Sequence, residues 1–216
     1  SEAASGRKIR ELVGQCEART DHIEKEQLKT WLAECQSYPN QVISSFFEIL
    51  LLTGARREEL AQLCWEDIDL RWDTLKLKDK NVAHRVIPLT PYVKKLINCL
   101  PRQNKWVFSS RRSKSGRLVE PGKALRKINE KAQVVVSIHG LRRSFKSLTE
   151  WLDIPVGVVA QIMGHKPSAI AEKHYTIRPI DLLRVHHIKI ETWILEVGKN
   201  DCNIKEMKDY QSTKAA

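Results

Sequence analysis

Val42-Ile43-Ser44-Ser45-Phe46-Phe47-Glu48-Ile49-Leu50-Leu51-Leu52-Thr53-Gly54-Ala55-Arg56-Arg57-Glu58-Glu59-Leu60 is the stretch on which the reading of this chain turns. Residues 42–52 are apolar almost all round, which predicts a helix buried on every side. Thr53-Gly54 ends it, and a second, short helix is predicted from about Arg56 to Cys64. A glycine turn therefore sets Arg56 at a helix start, where amide N–H groups and a guanidinium can converge on an anion. Glu59 lies three residues on, on the same helical face, and can hold Arg56 in place.

Upstream, a helix is predicted after Thr20-Asp21, with Leu28, Trp31, Leu32 and Cys35 at i, i+3, i+4 and i+7. Tyr38-Pro39-Asn40 breaks it. Residues 1–19 are polar and read as a linker, or the tail of a helix, from a missing domain. Downstream the period drops to two. Leu75 and Leu77 alternate with lysines, and Val86, Ile87 and Leu89 follow a polar turn, which predicts a small antiparallel sheet of two or three strands. Helices are then predicted over Pro91–Leu100, Pro121–Ala132, Gly140–Leu152, Pro155–Met163 and Pro179–Val197. The fold class is α+β, mainly α-helical, with residues 20–197 as one domain and 198–216 as a charged tail. The closing helix, with Leu182, Leu183, Ile188, Ile194 and Leu195, can dock on its own core or on a neighbour.

Charge narrows the function. The 216 residues hold 37 Lys+Arg against 26 Asp+Glu, a net +11, and a protein this basic usually meets a polyanion. Between Arg71 and Lys146 there are 20 basic and 4 acidic residues, so the excess sits in the middle third and predicts a charged face. At 42% apolar the chain is too hydrophobic for a disordered protein, yet no apolar run is long enough to span a bilayer. Five cysteines, none at C-x-x-C spacing, argue against a disulfide framework or zinc cluster and fit a reducing cytoplasm. Cys35 and Cys64 read as small buried hydrophobes on apolar helical positions. There is no P-loop and no G-x-G-x-x-G. Glu66-Asp67-Ile68-Asp69 could hold magnesium but reads better as a charged, partly structural turn. Phosphate would then have to be handled by the chain's own cations.

Four segments supply such cations. Arg56 is the first. Lys78-Asp79-Lys80-Asn81 places lysines on a hairpin turn, able to reach a DNA groove. In His139-Gly140-Leu141-Arg142-Arg143-Ser144, His139 and Arg142 share a helical face, so an imidazole sits beside a fixed guanidinium, a pair suited to phosphoryl transfer. Gly164-His165-Lys166-Pro167 follows a helix end, and Tyr175 comes ten residues after His165 in a polar segment where a tyrosine is not needed for packing. Neighbouring cations would stabilise its phenolate and make it a nucleophile.

Taken in order, T-G-x-R, a hairpin lysine, H-x-L-R, G-H and Tyr resemble the catalytic domain of the tyrosine recombinase, or phage integrase, family, over roughly residues 20–195. From Leu141 onward the chain is most similar to integrases of prophages and genomic islands. The resemblance implies the tyrosine-recombinase catalytic fold with a three-stranded antiparallel sheet. It implies Arg56, Lys80, His139, Arg142, His165 and Tyr175 as catalytic residues, with Glu59 buttressing Arg56. Lys78, Arg111, Arg112, Lys114 and Arg143 are the expected DNA contacts. The implied reaction cleaves and rejoins DNA through a 3′-phosphotyrosyl bond, with no metal and no cofactor. The implied partners are double-stranded DNA attachment sites, a tetramer on synapsed DNA and accessory DNA-bending proteins, with no membrane. A cytoplasmic, nucleoid-associated protein of bacterial or phage origin is expected. A non-catalytic DNA-binding module and a type IB topoisomerase are the alternatives. Arg142→Ala is expected to cost several orders of magnitude in cleavage while folding survives.

Overall fold

The computed structural model describes residues 20–78, 84–165 and 177–198. Asn40 opens the buried helix by accepting a hydrogen bond from the Ile43 amide at 3.2 Å. That helix, α2, spans Gln41–Thr53, and every residue from Ser44 to Thr53 is buried. It ends at Gly54, whose φ of 58° is left-handed and whose amide donates to the Leu50 carbonyl. A Cβ at Gly54 would stand 2.6 Å from the Phe145 ring, so both backbone and space require glycine here.

Around α2 the chain builds a helical shell. A 3₁₀ turn over Lys25–Gln27 leads into α1 (Leu28–Gln36), which buries Leu28, Trp31, Leu32 and Cys35, the four residues of the predicted stripe. The short helix α3 spans only Arg57–Ala61, with Arg56 as its extended N-cap. It stops before the predicted Cys64, which is buried in a bridge to Trp106 outside any helix. The sheet has three strands: β1 (Ile68–Asp69), β2 (Thr74–Leu77) and β3 (Arg85–Pro88), antiparallel and paired in chain order. Register opposes Leu75 to Ile87 and Leu77 to Arg85, so Leu75, Leu77 and Ile87 share the core face while Lys76 and Val86 face out.

Helix α4 (Pro91–Asn98) carries Pro91 in its first turn, and α5 spans Gly122–Ala132. The helix α6 runs over Ile138–Thr149, two residues earlier than its sequence pattern suggested, because Ser137 caps it by accepting from the Gly140 amide at 2.9 Å. The helix α7 (Val156–Met163) ends at Gly164, and α8 (Ile180–Gly198) closes the domain. Among the described residues, no helix is long and apolar enough to cross a membrane.

The closing helix docks on its own core, against α1, α2, α7 and β3. Two buried polar residues fix it. His187 bonds the Leu52 carbonyl at 2.9 Å, just before the Gly54 turn. Glu191 accepts from the Thr90 hydroxyl and from the amides of Tyr92 (2.9 Å) and Val93 (3.2 Å), so one helix supplies the N-terminal cap of another. Burial pushes the Glu191 carboxyl up to about 7, although those three donors pull it down. Burial of His187 presses its pKa to about 4 despite the bond to Leu52.

These opposite shifts set opposite pH slopes. Between its ordinary 4.5 and about 7, Glu191 keeps a proton in the native state that the unfolded chain has lost. Its contribution is therefore full below pH 4.5 and is lost as pH rises toward 7. His187 contributes above 6.5 and loses that contribution as pH falls toward 4. Comparing Glu191→Gln with the parent cancels the histidine and isolates the carboxyl. The variant should gain on the parent by on the order of 3 kcal/mol from about pH 4 to about pH 8 in urea denaturation. A stability difference that does not vary with pH overturns the assignment.

Candidate active site

Two helix C-termini meet at the site. Both α2 and α7 stop at glycines with left-handed backbone, Gly54 and Gly164. A helix end presents carbonyls without intrahelical donors, and the helix dipole makes that end electronegative. Three guanidinia satisfy it. Arg142 on α6, only 5% exposed, donates from Nη1 to the Gly54 carbonyl and to the Met163 carbonyl at 2.9 Å. Arg56 donates from Nη2 to the Gly164 carbonyl at 3.4 Å. Arg85 on β3 donates from Nε to the Ile162 carbonyl at 3.2 Å.

Glu59 organises two of these cations. Its Oε2 accepts the Arg56 amide at 2.8 Å, and its Oε1 accepts Arg56 Nη1 at 2.6 Å. Arg85 Nη1 donates to the same Oε1. Burial alone would push this carboxyl up, but the bond and charge of Arg85, followed by the bonds from Arg56, hold it below the usual range. The Arg56 side chain remains 40% exposed, so its guanidinium is oriented from behind while open to solvent.

The two histidines border the guanidinia. His139 lies in the first turn of α6, one turn before Arg142. Loss of hydration, then the charges of Arg143 and Arg142, lower its pKa. His165 follows Gly164, with its amide bonded to the Ala160 carbonyl at 2.9 Å. Loss of hydration, then the field of Arg142, Lys146, Arg56 and Arg85, presses it to about 4. Both imidazoles are thus neutral near pH 7, each able to donate one proton and accept another. Guanidinium forks beside neutral imidazoles suit an anionic group with several oxygens, such as a phosphodiester.

Arg56, Glu59, His139, Arg142 and His165 are therefore brought together, although the first and the last lie 109 positions apart in the chain. Lys80 and Tyr175 lie outside the described residues. The described residues flanking the Tyr175 segment are tied to each other: Arg178 N donates to Gln161 Oε1 at 3.1 Å, and Gln161 Nε2 returns a bond to the Arg178 carbonyl at 3.0 Å. Arg111, Arg112 and Lys114 occupy a surface turn in which the Ser110 amide meets the Gly116 carbonyl at 2.9 Å. Lys78 pairs with Asp67 at 3.0 Å. Arg143 is held by the Asp21 carboxylate and, through Nε, by the Asp21 carbonyl at 3.0 Å.

The acidic turn is structural as read. Asp67 caps the Cys64 amide at 3.1 Å, and Asp69 accepts from the amides of Arg71 and Trp72. Among the described residues, no group of three or more His, Cys, Asp or Glu is arranged to hold a metal ion. Arg85 was missed by sequence reading. Its signal was a lone basic residue at the head of an otherwise apolar strand, Arg85-Val86-Ile87-Pro88.

A model of the phage integrase family matches residues 21–178. The chain belongs to the phage integrase family. The prophage integrase IntF of Escherichia coli (strain K12) is 49% identical over 210 residues, covering 93% of this chain and 45% of IntF. The chain thus spans less than half the length of that curated relative. The integrase from mycobacterium phage Brujita superposes with a TM-score of 0.67 at 20% identity, over 90% of this chain and 65% of that one. The XerH site-specific recombinase, bound to its difH substrate in a pre-cleavage complex, gives a TM-score of 0.57 at 22% identity, over 68% of this chain and 47% of that one. These neighbours identify the fold as that of tyrosine-recombinase catalytic domains, with the three-stranded sheet expected from sequence.

The burial of Arg142 changes what its removal should do. Arg142→Ala leaves the Gly54 and Met163 carbonyls short of a donor, so a cost in stability is expected beside the loss of cleavage. A loss of about 2–3 kcal/mol in chemical denaturation is expected, with Arg142→Lys recovering part of it. Parental stability in Arg142→Ala would show that the carbonyls are satisfied without it.

Proposed function

We propose that this chain carries the catalytic domain of a site-specific DNA recombinase, cleaving and rejoining attachment-site DNA during integration or excision of a mobile element. The observation that carries the proposal is the meeting of Arg56, Arg142, His139 and His165 at two helix ends, in a chain of the phage integrase family. That XerH is bound to its difH substrate, and the Tn1549 transposon integrase to circular intermediate DNA, supports DNA as the partner.

In the proposed reaction the phenolic oxygen of Tyr175 attacks the scissile phosphorus. A phosphorus–oxygen bond to tyrosine forms as the bond to the 5′-oxygen breaks, leaving a 3′-phosphotyrosyl linkage. Arg56 and Arg142 hold the non-bridging oxygens, where charge grows in the transition state. Lys80 protonates the departing 5′-oxygen, and His139 and His165 orient the phosphate and move the phenol proton. Attack by a partner strand's 5′-hydroxyl reverses the step and joins new ends. The bond exchange conserves energy, and every group it uses is a side chain, so no cofactor enters. Four protomers would hold two duplexes, with accessory DNA-bending proteins assisting. Arg111, Arg112 and Lys114 would add contacts to the DNA backbone.

A nicked duplex carrying the element's junction sequence, which traps the covalent step, tests this in the presence of EDTA. The parent should yield a protein–DNA adduct, and Tyr175→Phe should yield none while retaining DNA binding. Adducts in Tyr175→Phe would place the nucleophile elsewhere, for example at Tyr210. Binding without any adduct from the parent would favour a non-catalytic DNA-binding module. Relaxation of supercoils without strand exchange would favour a topoisomerase.

A further inference from the structure

Arg85 links three parts of the site. Its backbone belongs to β3, paired opposite Leu77, and it sits five residues after Lys80. Its Nη1 donates to Glu59 Oε1, the same oxygen that orients Arg56. Its Nε holds the Ile162 carbonyl at 3.2 Å, at the end of the helix that leads to His165. The side chain is 14% exposed, and its stem runs along the Gly164 backbone. A Cβ on Gly164 would stand 2.8 Å from Arg85 Cδ and 3.1 Å from its Nε. Gly164 is thus required both by its left-handed φ of 72° and by the room Arg85 takes.

The charges matter as much as the contacts. One carboxylate serves two guanidinia, so the Arg56–Glu59–Arg85 group keeps a net charge of about +1 where Arg56–Glu59 alone would be neutral. Arg85 therefore leaves Arg56 more of its charge for an incoming phosphate. A guanidinium also reaches Glu59 and Ile162 at once, which the single ammonium of lysine does less well.

We infer that Arg85 is a positioning residue for DNA cleavage: it fixes Glu59, and through it Arg56, against the helix end that presents His165. The inference rests on the proposed recombinase activity. Arg85 does not touch the phosphate in this role. It sets the register between β3, the Arg56 turn and the Gly164 turn.

Arg85→Met removes the charge and the donors while keeping a long side chain. Single-turnover cleavage of the nicked duplex should fall about tenfold to a hundredfold, as expected for misplacement of catalytic groups. DNA affinity should change by less than about threefold, because the exposed phosphate contacts remain. The pKa of His165 is lowered first by lost hydration and then by the charges of Arg142, Lys146, Arg56 and Arg85, so it should titrate at a higher pH in imidazole NMR spectra of Arg85→Met without DNA. Arg85→Lys keeps the charge, so it should restore the His165 titration and part of the cleavage rate. It also serves as the folded comparison if Arg85→Met is unstable. Parental cleavage by Arg85→Met, or a His165 titration unmoved by the loss of charge, overturns the inference. Failure of the recombinase reading shows differently, as a parent protein that forms no adduct.

Discussion

The buried bond from Arg142 to the Gly54 and Met163 carbonyls is the constraint on which the site depends. It joins the C-terminal ends of two helices that would otherwise repel, since both present electronegative carbonyls. A single guanidinium between them turns a repulsion into a joint. Once the joint is made, the residues that follow each helix, Arg56 after one and His165 after the other, are close by construction. Arg56 and Arg85 extend the same device to Gly164 and Ile162. The protein thus uses its backbone carbonyls to hold arginines with their charge intact. The Glu59 carboxylate is shared between two of these cations.

Most of this architecture was legible because the relevant signals are local. The all-apolar run before Thr53-Gly54 has few readings other than a central helix, and Leu75/Leu77 against Ile87 shows the two-residue period of a strand pair. His139 and Arg142 lie one turn apart in sequence as in space. The boundaries were less legible. The helix at Arg57 stops at Ala61 because Leu63, Cys64 and Trp65 turn toward the 105–107 segment, a pairing with no local trace. The same limit hid Arg85. A basic residue at a strand start looks solvated until its partner 26 positions earlier is known.

Arg143 has a partner that no local signal reveals. Beside Arg142 it reads as one more DNA contact, and its guanidinium is held by Asp21, more than a hundred residues away. Asp21 also accepts the Ser137 amide at 2.6 Å, and a Cβ at Gly140 would collide with its carboxylate. Adjacent arginines on one helix therefore face different neighbourhoods, as residues 100° apart around a helix must.

The docking of α8 also bears on how the chain is made. This last described element completes a core begun by α1 and α2, some 150 positions earlier. Contacts of such separation form late and slowly. During synthesis, a ribosome that has released Arg56, Arg142 and His165 has still not released Glu191 or His187. The unfinished chain holds every cation of the site but lacks the helix that seals Leu52 beside the Gly54 turn. Assembly of the site is thereby deferred until α8 has emerged, and a transcript cut short before α8 yields a basic polypeptide with an open core, prone to aggregation and clearance.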